Sequence, residues 1–252
     1  MKILIPIPHN DFDPTEVAVS WKILKTQGHD VTFATPSGKR AMADKRMLTG
    51  EGLGIWKKIL MADENGINAY LEMESSSEFL NPKKWDDIVS CDFDGIILGG
   101  GHAQGMVEYL ESNKLQTLTA EFDVQKKPIG AICHGVVLAS RSKREDGRSI
   151  LFNKRVTSLR KDQEFIAWAM TGLWLGNYYR TYPEYVQDEV KRSLKSKGQF
   201  ELGPMAITRD TQESLCGFCV VDEHFISSRW PGDVHTFATK YCEILKEKSN
   251  EL

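Results

Sequence analysis

The opening of the chain restricts its fold more than any other stretch. Lys2-Ile3-Leu4-Ile5-Pro6-Ile7 is a short apolar run suited to a buried strand. Residues 14 to 27 follow with helical periodicity, and Val17, Trp21 and Leu24 fall on one face. Asp13 suits the N-cap and Pro14 the first helical turn. Gly28 ends the helix, and His29-Asp30-Val31-Thr32-Phe33-Ala34 reads as a second strand. A β-α-β opening of this kind favours a parallel sheet in an α/β protein.

The pattern resumes after an irregular stretch. Residues 36–90 carry Gly38, Gly50, Gly52, Gly54 and Gly66, several charges and a Ser75-Ser76-Ser77 run. Helices and loops inserted into, or capping, the same single domain are expected over about 38–90. Strands are expected at Asp94 to Leu98 and Pro128 to Cys133, and a short one at Arg155 to Ser158. Helices should run from Val107 to Lys126, from His134 to Ser140 and from Glu184 to Lys197. Two strands near 217–221 and 224–227 precede a last helix over about 233–247. Residues 163–182 are aromatic-rich, with Phe165, Trp168, Trp174, Tyr178, Tyr179 and Tyr182. They read as a cap over the sheet, as a pocket wall, or as both, because small-molecule sites are largely apolar.

Composition removes several function classes. The net charge is −3, so the basic excess of a nucleic-acid binder is missing. No apolar run nears the roughly 18 residues of a membrane span, and Lys2 to Pro8 is too short and Pro-rich for a signal peptide. A cytoplasmic protein without nucleic-acid or membrane partners is expected. The five cysteines are Cys91, Cys133, Cys216, Cys219 and Cys242, an odd count in a long chain that argues against a disulfide framework. Cys216 and Cys219 form a C-x-x-C. A redox motif should open a helix and a zinc site needs a second ligand pair, and neither context is present. They read as half-buried strand cysteines.

Three strand ends carry side chains suited to chemistry. In Gly130-Ala131-Ile132-Cys133-His134-Gly135 an apolar strand runs into a cysteine and a helix begins. Such an elbow lifts the side chain above the C-terminal edge of the sheet, where open α/β proteins bind ligands. The helix N-terminus there favours thiolate; a buried core cysteine is the structural alternative. In Leu98-Gly99-Gly100-Gly101-His102 a glycine run follows a strand. Its N–H groups, with that of His134, could form an oxyanion hole. Glu16 lies in the first helical turn after the first strand, where it serves either as an acid/base beside the thiol or as a helix-start residue.

Together these pieces resemble the ThiJ/PfpI family of the class I glutamine amidotransferase-like superfamily. The matching segments are Asp13-Pro14-Thr15-Glu16, Ala34-Thr35-Pro36-Ser37-Gly38, Asn81-Pro82-Lys83-Lys84, Gly99-Gly100-Gly101-His102 and Ala131-Ile132-Cys133-His134-Gly135, with Ser228 to Asp233 fitting the final loop. The extra residues 38–90 place the resemblance nearest the heat-shock chaperone and glyoxalase III branch. The resemblance implies a flavodoxin-like three-layer sandwich with a mostly parallel sheet, and a homodimer; no cofactor is expected. It implies Cys133 as nucleophile, Glu16 as the carboxyl beside it, His134 as the histidine after the elbow, and Gly100 and Gly101 as the oxyanion loop. Relatives place an acidic residue near Val156 to complete a triad; here Asp162 and Glu164 are the carboxylates available for that place. The branch can carry a metal, but Ser20, Trp21, Lys22 and Ile23 after Glu16 offer no histidine, so no metal is expected.

Three readings follow. The first is a cysteine-dependent enzyme converting small 2-oxoaldehydes to 2-hydroxy acids. The second is an amidase or peptidase-like hydrolase, which wants His134 oriented by a carboxylate. The third is a stress chaperone or redox sensor with an oxidisable Cys133.

Overall fold

The structure is a computed structural model and describes residues 1–250. Nine strands occur along them: β1 (Lys2–Pro6), β2 (Asn10–Phe12), β3 (Asp30–Thr35), β4 (Met42–Ala43), β5 (Lys83–Lys84), β6 (Gly95–Leu98), β7 (Ile129–Ile132), β8 (Cys219–Asp222) and β9 (Phe225–Ser228). Seven of them form one sheet in the order β5-β3-β1-β6-β7-β9-β8. All pairs are parallel except β8 with β9, which run antiparallel. Strands β2 and β4 make a separate two-stranded parallel ladder. Helices cover both faces. Pro14–Thr26 packs against Glu64–Glu74 and Val234–Asn250 on one face, while Asn113–Val124, Gly135–Arg141 and Val186–Ser193 meet on the other. This is the mostly parallel, helix-flanked sandwich expected.

The central strands explain why it forms. Ile3, Leu4, Ile5, Ile96, Ile97, Leu98, Ile129 and Ile132 are completely buried, as strands covered on both faces must be. At roughly 25 cal/mol per Å² of apolar surface removed from water, each such side chain stabilises the fold by about 1.5–3 kcal/mol. The first helix starts as its sequence dictates: Asp13 Oδ1 accepts from the N–H groups of Thr15 and Glu16 at 2.8 and 3.0 Å, with Pro14 in the first turn.

Several boundaries differ from the sequence expectation, each for a local reason. The inserted stretch is not helices and loops alone. Lys83 and Lys84 form the edge strand β5, and two exposed lysines there protect an open edge. The long helix expected from Val107 to Lys126 is two, Met106–Leu110 and Asn113–Val124, because Ser112 stops the first and caps the second. The strand expected at Arg155 to Ser158 is a single bridge between Val156 and Phe200. The charged helix expected over 184–197 is shorter, Val186–Ser193.

No helix among the described residues is long and apolar enough to cross a membrane.

Candidate active site

Strands β1, β6 and β7 are neighbours, so their C-terminal ends bring the first helix, the glycine loop and the Cys133 elbow together. Cys133 sits at φ 55°, a left-handed conformation that a non-glycine residue holds only when its surroundings fix it. They do: the Cys133 N–H donates to Ser228 O at 3.1 Å, the Cys133 carbonyl accepts from Val136, and the thiol carbon packs on Gly100. Gly100 has no room for a side chain. A Cβ there would lie 2.7 Å from Glu16 Oε2, 2.8 Å from His134 N and 2.9 Å from Cys133 Cβ. One glycine thus touches all three expected site residues, and Cys133, Glu16 and the loop share one sheet edge.

Glu16 is completely buried. Its Oε2 accepts from the Gly100 N–H at 2.7 Å, while Oε1 has no partner of its own among the hydrogen bonds of the fold. Burial first, and the neighbouring Asp13 second, hold the Glu16 carboxyl well above the usual range, which favours its protonated form. Asp13 is pushed up to about 6, again chiefly by burial.

The oxyanion assignment needs correction. The Gly100 N–H is committed to Glu16 and cannot also serve an oxyanion. Gly101, at φ 147°, lines the cavity, and its N–H has no acceptor among the described residues. The His134 N–H favours the charged form of the sulfur. Those two groups are the available donors.

The thiol also departs from expectation. Burial above all pushes Cys133 well above the ordinary thiol range; the Glu16 and Asp13 carboxyls add to it when ionised, and the pull of the His134 N–H is weaker. The helix N-terminus does not outweigh desolvation, so the resting group is a thiol.

His134 is buried, and its Nδ1 lies 3.5 Å from Cys133 Sγ. Its Nε2 lies 3.1 Å from Thr181 Oγ1, whose hydroxyl proton goes to His102 O at 2.6 Å. Thr181 has one proton and has given it away, so it accepts from Nε2–H. The Nδ1 lone pair therefore faces the thiol. Burial lowers His134 to about 3, so thiol and imidazole rest as a neutral pair.

Neither expected third triad member orients His134. Asp162 is clamped by Arg160 at 2.5 and 2.9 Å. Glu164 accepts from Val186 N at 3.0 Å, lies 3.6 Å from Arg180, and is pushed up to about 7 by burial. Both sit in a helix, Lys161–Leu175, that begins after the bridge at Val156 instead of continuing a strand towards the elbow. They line the cavity wall. Thr181 takes the orienting position from 47 residues downstream, and no motif in the sequence marks it.

The cavity above Cys133 has a volume of about 820 Å³. Its floor includes Cys133, Glu16, Asp13 and Gly101; Ile166, Ala167, Met170 and Tyr179 come from the aromatic-rich stretch, and Met47, Ile59 and Leu60 contribute from the inserted one. His102 stacks on Tyr179 with ring centroids 4.3 Å apart. Of the other thiols, Cys91 and Cys216 are exposed, Cys219 is half-buried in β8 and Cys242 is buried; all are free.

Comparison with known proteins bears on the family and the fold. A glutathione-independent glyoxalase of Schizosaccharomyces pombe, hsp3102, is 26% identical over 153 residues, 60% of each chain. The deglycase PfpI of Pyrococcus furiosus is 22% identical over 246 residues, 98% of this chain and all of that one. The chain spans only 45% to 62% of the length of the S. pombe relatives it matches. The crystal structure of glyoxalase III from Candida albicans shares the fold, with a TM-score of 0.70 at 14% identity over 97% of both chains. A profile of ThiJ/PfpI family-like proteins matches residues 7–183, which hold the first helix, the glycine loop, the elbow and Thr181. By that match over well more than half of its length, the chain belongs to the ThiJ/PfpI family.

Proposed function

We propose that this protein converts 2-oxoaldehydes to 2-hydroxy acids, with Cys133 as nucleophile and Glu16 as proton shuttle. The observation that carries the reading is geometric: the buried Glu16 carboxyl, bonded to the Gly100 N–H, stands beside a thiol whose other side faces His134 Nδ1. The names of the related glyoxalase and deglycase support the same class of chemistry.

The proton inventory closes over a full cycle. The thiol proton passes to His134 Nδ1 as sulfur bonds the aldehyde carbon. Both groups resist charging in the resting site, so transfer accompanies addition and does not precede it. The carbonyl oxygen, held by the Gly101 and His134 N–H groups, takes the Glu16 proton to give a hemithioacetal. Glu16, now a carboxylate, removes the hydrogen on that carbon, and the imidazolium protonates the adjacent oxygen; an enediol results. His134 then takes the hydroxyl proton of the sulfur-bearing carbon, Glu16 protonates its neighbour, and a thioester forms. Water attacks with Glu16 as base, the carbon–sulfur bond breaks, and His134 returns the proton to sulfur. The sum is oxoaldehyde plus water giving hydroxy acid.

The cavity exceeds the needs of a three-carbon substrate and lies within the roughly 300–1,000 Å³ of drug-sized sites. Its apolar wall supports larger aryl- and alkyl-substituted oxoaldehydes as well as methylglyoxal. Rapid-quench intact-mass measurement with methylglyoxal tests the nucleophile. An adduct of one substrate mass mapped to Cys133, and lost in Cys133→Ala, is expected; turnover with the adduct elsewhere would refute it.

A further inference from the structure

A second constellation lies at the same sheet edge and plays no part in the chemistry above. His9 follows β1, Ser37 lies in the turn after β3, and Glu108 lies in the helix Met106–Leu110 after β6. Strands β3, β1 and β6 are adjacent in the sheet, so three successive strand ends deliver these side chains to one place. Ser37 Oγ is 2.7 Å from His9 Nε2. His9 Nδ1 is 3.0 and 3.1 Å from the two oxygens of Glu108, one of which also accepts from the His9 N–H at 3.2 Å.

We infer that Ser37, His9 and Glu108 form a second, serine-based acyl-transfer site that takes small, sterically open esters. Direction follows from donor inventory. A carboxylate only accepts, so His9 Nδ1 carries a proton, and in the neutral imidazole the Nε2 lone pair then receives the Ser37 hydroxyl. That is the nucleophile–base–orienter order of a serine hydrolase, recognised by geometry and role and not by sequence position. The backbone anchor from His9 N to Glu108 fixes the acid against the ring twice over. Gly38, at φ 73°, turns the chain directly after Ser37. The N–H groups of Ser37 and Lys39 in that turn have no acceptor among the described residues, which leaves them for a developing oxyanion.

The site is open: Ser37 is exposed, and the His9 and Glu108 side chains are 35% and 42% exposed. Solvent access admits small acyl donors but gives little binding energy, so reactivity towards activated esters is expected with weak saturation. In the step itself Ser37 Oγ bonds the ester carbonyl carbon and its proton moves to His9 Nε2. The carbon–oxygen bond of the leaving alcohol then breaks, and that oxygen takes the proton. Water hydrolyses the acyl-serine by the same route in reverse.

The test uses the full chain carrying Cys133→Ala, so that the thiol contributes nothing and the result stands apart from the carbonyl chemistry. A fluorophosphonate probe should label Ser37, identified by peptide mapping, and p-nitrophenyl acetate should be hydrolysed with an acyl group trapped on Ser37. Adding His9→Ala should slow both by at least about 10-fold, Glu108→Gln should slow both to a smaller extent, and Ser37→Ala should abolish the labelling. Circular dichroism melts of each variant establish that it folds. Absence of label at Ser37 in a folded protein, or equal labelling with and without His9, would overturn the inference and leave a surface hydrogen-bond network.

Discussion

Thr181 Oγ1 stands 3.1 Å from His134 Nε2 and donates its only proton to His102 O, so the hydroxyl fixes the imidazole tautomer without adding charge. A carboxylate in that position would stabilise an imidazolium; a hydroxyl leaves His134 neutral, in line with its lowered pKa of about 3. Thr181→Val should therefore lower kcat on a 2-oxoaldehyde by roughly 10- to 100-fold with little change in KM. Thr181→Ser should restore it. A purely packing role would give the reverse order, because valine matches the shape of threonine and serine does not.

The acidic neighbour of Glu16 gives a pH signature in stability. Burial raises Asp13 from 3.8 to about 6, so the folded chain holds this proton more tightly than the unfolded chain. The ionised form is the disfavoured one in the fold. Stability is therefore lost as pH rises from about 4 through 6, by at most about 3 kcal/mol if the full rise is converted. Asp13→Asn keeps an N-cap acceptor for Thr15 and Glu16 and removes the ionisation. Thermal melts should show the variant stabilised relative to the parent above pH 6 and level with it below pH 4. Equal differences at both pH values would contradict the burial of an ionising Asp13.

Much of this arrangement was legible in the sequence, and the failures share a cause. The β-α-β opening, the apolar run into Cys133 and the glycine loop each write their geometry into consecutive residues, so the sheet edge and its occupants could be placed. The third partner of His134 could not. Asp162 and Glu164 are near in sequence but belong to a helix that faces Arg160 and Arg180, whereas Thr181 reaches the imidazole through a long excursion whose path is set by tertiary packing. The state of Cys133 is hidden from the sequence for a related reason. A helix N-terminus is visible in sequence, but the desolvation that overrides it depends on what covers the thiol.

The burial of Cys133 sets the order in which the thiols should label. Cys133 is 6% exposed and rests as a thiol, whereas Cys91 and Cys216 are exposed. Iodoacetamide at neutral pH should modify Cys91 and Cys216 first, with Cys133 protected. Peptide mapping over time reads the order directly. Fastest labelling at Cys133 would mean that the elbow holds a thiolate at rest.

The glycine loop carries its own expectation. Gly100→Ala places a methyl group within 3 Å of Glu16, His134 and Cys133 at once, two of these contacts being to backbone or to a buried carboxyl. Overpacking of this kind costs about 1–3 kcal/mol. It also displaces the Glu16 carboxyl from its N–H donor. Chemical denaturation should show that loss, and turnover should fall much further than stability alone explains.

The central claim is that Cys133 and Glu16 act together on a reactive carbonyl, and product analysis tests it most directly. Purified protein incubated with methylglyoxal should release lactate. Cys133→Ala should release none above the uncatalysed background. Glu16→Gln, which keeps the shape and can still accept from the Gly100 N–H, should fall by roughly 100-fold or more. Lactate release at the parent rate by a folded Glu16→Gln, or by Cys133→Ala, would contradict the account.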